Sequence, residues 1–387
     1  MNRVTRLSLV IWFFFTVPMG LAQTTHAYLW TTSGGMQDLG TLPGSSSSYA
    51  FGINRSGEVV GCVGDGSNTA AIGWTQAVGM HYLAGLSRTF SCAYAVNDAG
   101  QVVGFSGDQI TFHAFLWSRT GGAQDLGTLP GDTTSVATAI NKFGEVVGYS
   151  VGATGQHAFL WTPSTGMQDL RTLASGSCPT CQGLAGGIND SGVIIGQYYV
   201  SQGAPIYAFA LNSTSGAFLN LRGLGGMDGQ YASVASGVNP FGNITGTAAP
   251  AEGVLHAFFW SIGEGMQDLG TLEGGFSWGF GINRSGEVVG SSEISGNVIT
   301  HAFVWSPTLG MQDLGTLGGA NSQGYAINDA GQIVGTADIS SERTDSGTID
   351  VGYRRQTHHL SPPRGSLLDP APARRELAVS LLDFFRS

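Results

Sequence analysis

Residues 301–335 read HAFVWSPTLGMQDLGTLGGANSQGYAINDAGQIVG. Three segments of this stretch, H-A-F-x-W, M-Q-D-L-G-T-L and N-x-x-G-x-x-x-G, return in the same order along the chain. The first begins at His26, His113, His157, His256 and His301, with altered copies at Ala70 and Tyr207, so successive starts lie 44, 43, 44, 50, 49 and 45 residues apart. The third begins at Asn54, Asn97, Asn141, Asn189, Asn239, Asn283 and Asn328, with both glycines present in all seven copies. A fixed period of this length marks a repeat architecture and overrides the two or three domains that length alone suggests.

Each unit divides into four short runs: one ending in I-N (Ser48 to Asn54), then E-V-V-G, H-A-F-L-W and M-Q-D-L-G-T-L. Period-2 alternation, aromatic and β-branched content and glycine-rich breaks predict strands. The N-x-x-G joint suits a tight hairpin, with Asn opening a type I turn and Gly in the left-handed position. Positions four and two before each Asn are always small: Ala50 and Gly52, Ala93 and Ala95, Ala137 and Ala139, Ala185 and Gly187, Ala235 and Gly237, Gly279 and Gly281, Gly324 and Ala326. Regular alternation puts both on one strand face, which a neighbour must approach closely, as on the innermost strand of a propeller blade. The expected fold is all-β, a seven-bladed β-propeller of four-stranded blades over residues 23–340. A parallel β-helix would need a much shorter rung. The repeats start at a third strand, His26, and end after a second strand near Gly335. The propeller is therefore expected to close by pairing amino- and carboxy-terminal strands, which removes the open sheet edges.

Spacing separates two faces. The Trp of H-A-F-x-W lies eight residues before the Asp of M-Q-D in all five copies that carry both, and the N-x-x-G turn never varies. The segment from the Asp position to the next Asn instead runs from 15 to 20 residues. Binding residues concentrate on variable loops above a rigid scaffold; neutral drift of loop length is the competing explanation. The candidate ligand surface is residues 173–184, 197–206 and 221–233, displaying Tyr198, Tyr199, Tyr231, Cys178 and Cys181.

Composition narrows the function. Sixteen basic against 26 acidic residues give a net charge of −10, and Lys142 is the single lysine. No basic stripe is available to replace phosphate counterions, so nucleic acid is not an expected partner. The 61 glycines accompany aromatic and β-branched residues, which argues against disorder and collagen. Arg3 and Arg6 precede an apolar run from Leu9 to Val17 and the small residues Gly20 and Ala22, the pattern of a signal peptide over residues 1–22 cut near Ala22; a buried amino-terminal strand is the alternative. The mature chain is expected to be secreted, at the cell surface or periplasmic, with no transmembrane segment. Residues 341–387 carry no repeat marker and read as a disordered tail or short appended helix. A frameshift that replaced further repeats is a sharper reading, which the other two reading frames of the gene would test.

The five repeated histidines would form too wide a ring to share a metal ion and read as structural. Asp38, Asp125, Asp169, Asp268 and Asp313 read as turn or ladder caps. No catalytic, cofactor-binding or metal-binding residue is expected; no nucleophile motif, P-loop or dinucleotide fingerprint occurs. Four cysteines suit an oxidising compartment. Cys178 and Cys181 form the candidate disulfide, stiffening the longest variable segment. Cys62 and Cys92 sit at similar height in adjacent units, so a link between blades is also open, set against a sheet spacing of ~10 Å.

The three segments together resemble the HAF family of extracellular repeat proteins of bacteria, over about residues 26–339. The resemblance implies export and repetition but no particular reaction. Ala70, Tyr82, Tyr207, Leu211 and Asn220 depart from its pattern, so a role needing His or Asp in every unit is not implied. The expected function is a binding or surface-interaction scaffold for an extracellular polysaccharide or protein. The alternatives are a carbohydrate-active enzyme with its site on the variable face and a structural or degenerate repeat protein with no ligand.

Overall fold

The computed structural model describes residues 24–174, 182–200, 206–224, 233–250, 254–294 and 299–340. The proposed signal peptide and tail lie outside them. Among the described residues, twenty-eight strands, β1 to β28 in chain order, form seven four-stranded antiparallel sheets, with one helical turn, α1 (Leu170–Leu173). Blade one takes residues 47–82, blade two 91–125, blade three 132–169, blade four 182–222, blade five 233–268 and blade six 273–313. Blade seven joins β27 (Gly318–Ile327) and β28 (Ile333–Ile339) to β1 (Thr25–Thr31) and β2 (Gly35–Asp38), with His26 opposite Ala337 and Trp30 opposite Ile333. The fold is thus a seven-bladed β-propeller closed two strands plus two. The first strands of successive blades touch around the ring, which makes them the inner strands.

The core is seven layers between blades. In one of them Ala27, Leu29 and Val334 of blade seven pack on Ala50, Val59 and Trp74 of blade one.

One expectation is corrected. In blade one Ala50 pairs with Gly61, whereas Gly52 pairs with Val60, so Phe51 is an extra residue in the inner strand. The same β-bulge falls between the two small positions in every blade. One extra residue reverses the side-chain alternation, so the small pair does not share a face. A Cβ on Gly279 would meet Thr245 Oγ1 at 2.6 Å and the Gly246 carbonyl at 2.8 Å in blade five, whereas one on Gly281 would meet the Tyr325 carbonyl at 3.0 Å in blade seven. Each inner strand is squeezed from both sides, which is why both positions are small.

The bulge also explains the second glycine of N-x-x-G-x-x-x-G. At Gly61, Gly104, Gly148, Gly196, Gly246, Gly290 and Gly335, a Cβ would collide with the carbonyl oxygen of the residue five before the motif Asn, on the inner strand alongside. The first glycine has the expected left-handed backbone in all seven copies, with φ from 72° at Gly100 to 81° at Gly57 and Gly286.

Cys62 and Cys92 form a disulfide between blades one and two, with Cα atoms 5.0 Å apart. The usual sheet spacing does not forbid it, because blades converge toward the axis and Cys92 lies on the inner strand. Cys178 and Cys181 lie outside the described residues.

Candidate functional site

The constant face is held by a closed ring of amides. Each motif Asn donates from Nδ2 to the backbone carbonyl of the next blade's Asn: Asn54 to Asn97 (3.1 Å), Asn97 to Asn141 (3.0 Å), Asn141 to Asn189 (3.4 Å), Asn189 to Asn239 (3.0 Å), Asn239 to Asn283 (3.2 Å), Asn283 to Asn328 (3.4 Å) and Asn328 to Asn54 (3.0 Å). The side-chain carbonyl of each Asn accepts the backbone N–H four residues on, and in every blade but the sixth also the one two residues on, as Asn239 does from Phe241 and Asn243. All seven are buried with both ends of the amide satisfied. Sequence reading assigned the Asn to its own turn; the link to the next blade needs tertiary structure.

A second clamp was missed. Six residues before the motif Asn stands a buried serine in six blades: Ser48, Ser91, Ser135, Ser233, Ser277 and Ser322. Its Oγ accepts the N–H of the Ala in H-A-F of the preceding blade, as from Ala257 to Ser277 (2.8 Å), and donates to a carbonyl of the following turn, there Gly270 (2.6 Å). The same inter-blade bond runs from Ala27, Ala71, Ala114, Ala208 and Ala302. Blade four has Gly183 at this position. Ser277→Ala strands a buried N–H and is expected to cost about 2 kcal/mol, read as a lower denaturant midpoint at unchanged slope; an unchanged midpoint would remove the clamp from the stability argument.

The repeated His and Asp are one unit. His26 Nδ1 meets Asp38 at 2.8 Å, His113 meets Asp125 at 2.9 Å, His256 meets Asp268 at 2.8 Å and His301 meets Asp313 at 2.8 Å, each pair bridging the third and fourth strands of one blade. The same carboxylates cap the following turn, accepting the N–H of Gly40, Gly127, Gly270 and Gly315. In blade three Arg171 replaces that glycine and takes Asp169, and His157 turns to Asp132 at 3.0 Å. Paired on the third and fourth strands, these groups stand away from the axis.

Of the proposed ligand residues, Tyr231, Cys178 and Cys181 lie outside the described residues. Tyr198 and Tyr199 are half-buried and point to opposite sides of blade four. Tyr198 packs against Tyr207, Phe209 and Phe218, and its hydroxyl accepts from Asn220 Nδ2 at 3.1 Å. Tyr199 donates to Gln182 Oε1 (2.6 Å), and Gln182 donates to the Thr154 carbonyl of blade three (2.5 Å), on the variable face. Burial raises both phenols above their ordinary pKa.

The axis has a feature that the sequence reading passed over. The bulge residues, three before each motif Asn, are Phe280, Tyr325, Phe51 and Tyr94 in blades six, seven, one and two, and Thr138, Gly186 and Ser236 in blades three, four and five. The four rings touch in sequence, with centroids 5.4, 5.0 and 5.4 Å apart, and form an arc around half the axis. Burial holds the Tyr94 and Tyr325 phenols neutral well above their usual range. The arc continues toward the variable face as Tyr49 stacked on Phe51 and as Phe276 on the half-buried Trp278. The signal was legible as the one variable position between two invariably small ones.

No family model and no curated protein matches the sequence. Among solved structures, a puromycin hydrolase variant aligns over 74% of this chain and 49% of its own at 12% identity and a TM-score of 0.50. Virginiamycin B lyase from Staphylococcus aureus aligns over 77% of this chain and 98% of its own (10% identity, TM-score 0.45), and TolB from Acinetobacter baumannii over 73% and 63% (11% identity, TM-score 0.45). The chain therefore spans about half of the hydrolase and under two thirds of TolB. At these identities the likeness is one of fold, a β-propeller scaffold.

Proposed function

We propose that this chain is an exported, HAF-type binding scaffold and not an enzyme, with its ligand at the variable-face end of the axis. The observation that carries this reading is the one-sided axis: aromatic rings on four consecutive blades opposite Thr138, Gly186 and Ser236. Sevenfold packing requires small residues on either side of the bulge but no such asymmetry at it. Apolar rings with a few polar groups opposite suit a neutral ligand having both apolar and hydroxyl-bearing faces, and polysaccharide is the class we favour over protein. Tyr199 and Gln182 supply polar groups on the variable face. The His–Asp pairs are engaged in holding outer strands and turns, which supports binding over catalysis. The Cys62–Cys92 disulfide suits an oxidising compartment, and among the described residues no helix is long and apolar enough to cross a membrane.

Binding of the full chain to a panel of neutral polysaccharides, by affinity electrophoresis with soluble sugar assayed in parallel, tests this. Trp278→Ala is expected to weaken binding about tenfold with the fold retained by circular dichroism. Sugar release would overturn the non-enzymatic reading, and silence across the panel would overturn the polysaccharide assignment.

A further inference from the structure

The residue after each motif Asn lies exposed on the constant face, close around the axis. In order around the ring from blade six these are Arg284, Asp329, Arg55, Asp98, Lys142 and Asp190, and then Pro240 in blade five. Six charges alternate in sign, and the one neutral position falls where an odd ring cannot alternate. Pairing within the ring accounts for the alternation: Arg55 reaches Asp329 at 3.3 Å and Asp98 at 3.7 Å, Lys142 reaches Asp190 at 3.3 Å, and Arg284 reaches Asp329 at 3.7 Å. The backbone N–H groups of Arg55, Lys142 and Arg284 hold the aspartates of the following blades in place.

Ion pairing does not account for the apolar groups at the gap, where the Arg284 guanidinium lies over the Phe241 ring, 5.5 Å from its centroid. Blade five projects Phe241, 67% exposed, from its N-x-x-G turn and Ile262, 90% exposed, from its other turn on the same face, and blade six projects Leu309, 68% exposed, from the turn corresponding to that of Ile262. The series of charges is antisymmetric about this blade. A two-fold axis lying in the face, over blade five and between blades one and two, sets blade six against blade four, seven against three and one against two. Every charge then meets its opposite: Arg284 with Asp190, Asp329 with Lys142, and Arg55 with Asp98 of the second copy. Pro240, Phe241 and Ile262 meet their own copies. The other six in-register two-folds each set at least one like-charged pair together. An isologous contact needs such a self-complementary patch, with charges fixing the register and apolar groups at its edge supplying affinity.

We propose that the protein forms a face-to-face homodimer through this constant face, with the two-fold over blade five, which leaves the variable faces of both copies outward. The test uses the full chain. In sedimentation the dimer is expected at about 0.1 M salt and is expected to weaken about tenfold or more at about 1 M. Phe241→Cys is expected to give a disulfide-linked dimer on oxidation, whereas Phe143→Cys, equally exposed but facing blade seven of the second copy, is not. Asp329→Lys, which sets two cations together, is expected to weaken association about tenfold. Adding Lys142→Asp is expected to restore it, although that double variant places like charges side by side within each ring. A monomer at all concentrations, equal cross-linking at both cysteines, or a double variant no tighter than Asp329→Lys overturns the proposal.

Discussion

Gly246→Ala is expected to destabilise the propeller by about 4 kcal/mol or more, a fall in Tm of about 10 °C. A methyl group at this position meets the Val234 carbonyl oxygen and the Ala235 Cα of the inner strand, and the Phe258 ring closes the other side. The obstacle is backbone within a hydrogen-bonded ladder, so no rotamer change relieves it. Gly242→Ala, four residues earlier in the same motif, is the matched control. Gly242 has φ 79° and nothing within 4 Å of a Cβ, so the only penalty is the left-handed backbone, about 1 kcal/mol. Thermal unfolding of the two variants by circular dichroism separates them. If Gly246→Ala unfolds no earlier than Gly242→Ala, the crowding assigned to the bulge is wrong.

The second large effect is expected at the amide ring. Asn239→Ala removes a donor to the Asn283 carbonyl and an acceptor for the Phe241 and Asn243 N–H groups, all at a side chain only 1% exposed. Stranding one buried carbonyl and two turn N–H groups costs about 3 kcal/mol. Asn239→Asp dissects the loss, since it keeps an acceptor for the turn but sets a carboxylate against the Asn283 carbonyl. If the ring between blades carries the stability, Asp is as damaging as Ala; if the turn alone carries it, Asp is mild and the ring adds nothing measurable. Both are read from chemical denaturation at equal protein concentration, because a dimer makes apparent stability concentration-dependent.

The legible part of this fold was what repeats. Seven copies of H-A-F-x-W, intact or altered, and seven of N-x-x-G-x-x-x-G carried strand number, blade number, the turn and the closure, because each unit must bury its faces against its neighbours. The sequence also marked the small positions beside the bulge but misassigned their geometry: alternation counted through Ala50, Phe51 and Gly52 assumes a regular strand, and the pairing of Gly52 with Val60 shows it is not one. The inter-blade serines were equally invisible, since a serine in a β-run is unremarkable until its hydroxyl is seen between Ala257 N–H and the Gly270 carbonyl. Of the candidate site, the variable segments of blades four and five were legible as length differences, and the aromatic arc only as a variable position between two small ones; that its rings touch was not, because Phe280, Tyr325, Phe51 and Tyr94 are 43 to 45 residues apart around the ring, with the chain ends falling between two of them.

Sequence by itself therefore determined the architecture: local alternation and turn chemistry define four strands, and repetition at one period leaves each blade the same way to pack. Tertiary structure decided everything that depends on which residues of different blades come together: the bulge that turns two small residues to opposite neighbours, the Cys62–Cys92 link where blades converge, the closed ring of amides, the one-sided axis and the alternating charges of the constant face. The physical reason is that strand formation depends on neighbours a few residues away, whereas these features depend on side chains that closure of the ring brings within a few ångströms across forty or more residues of chain.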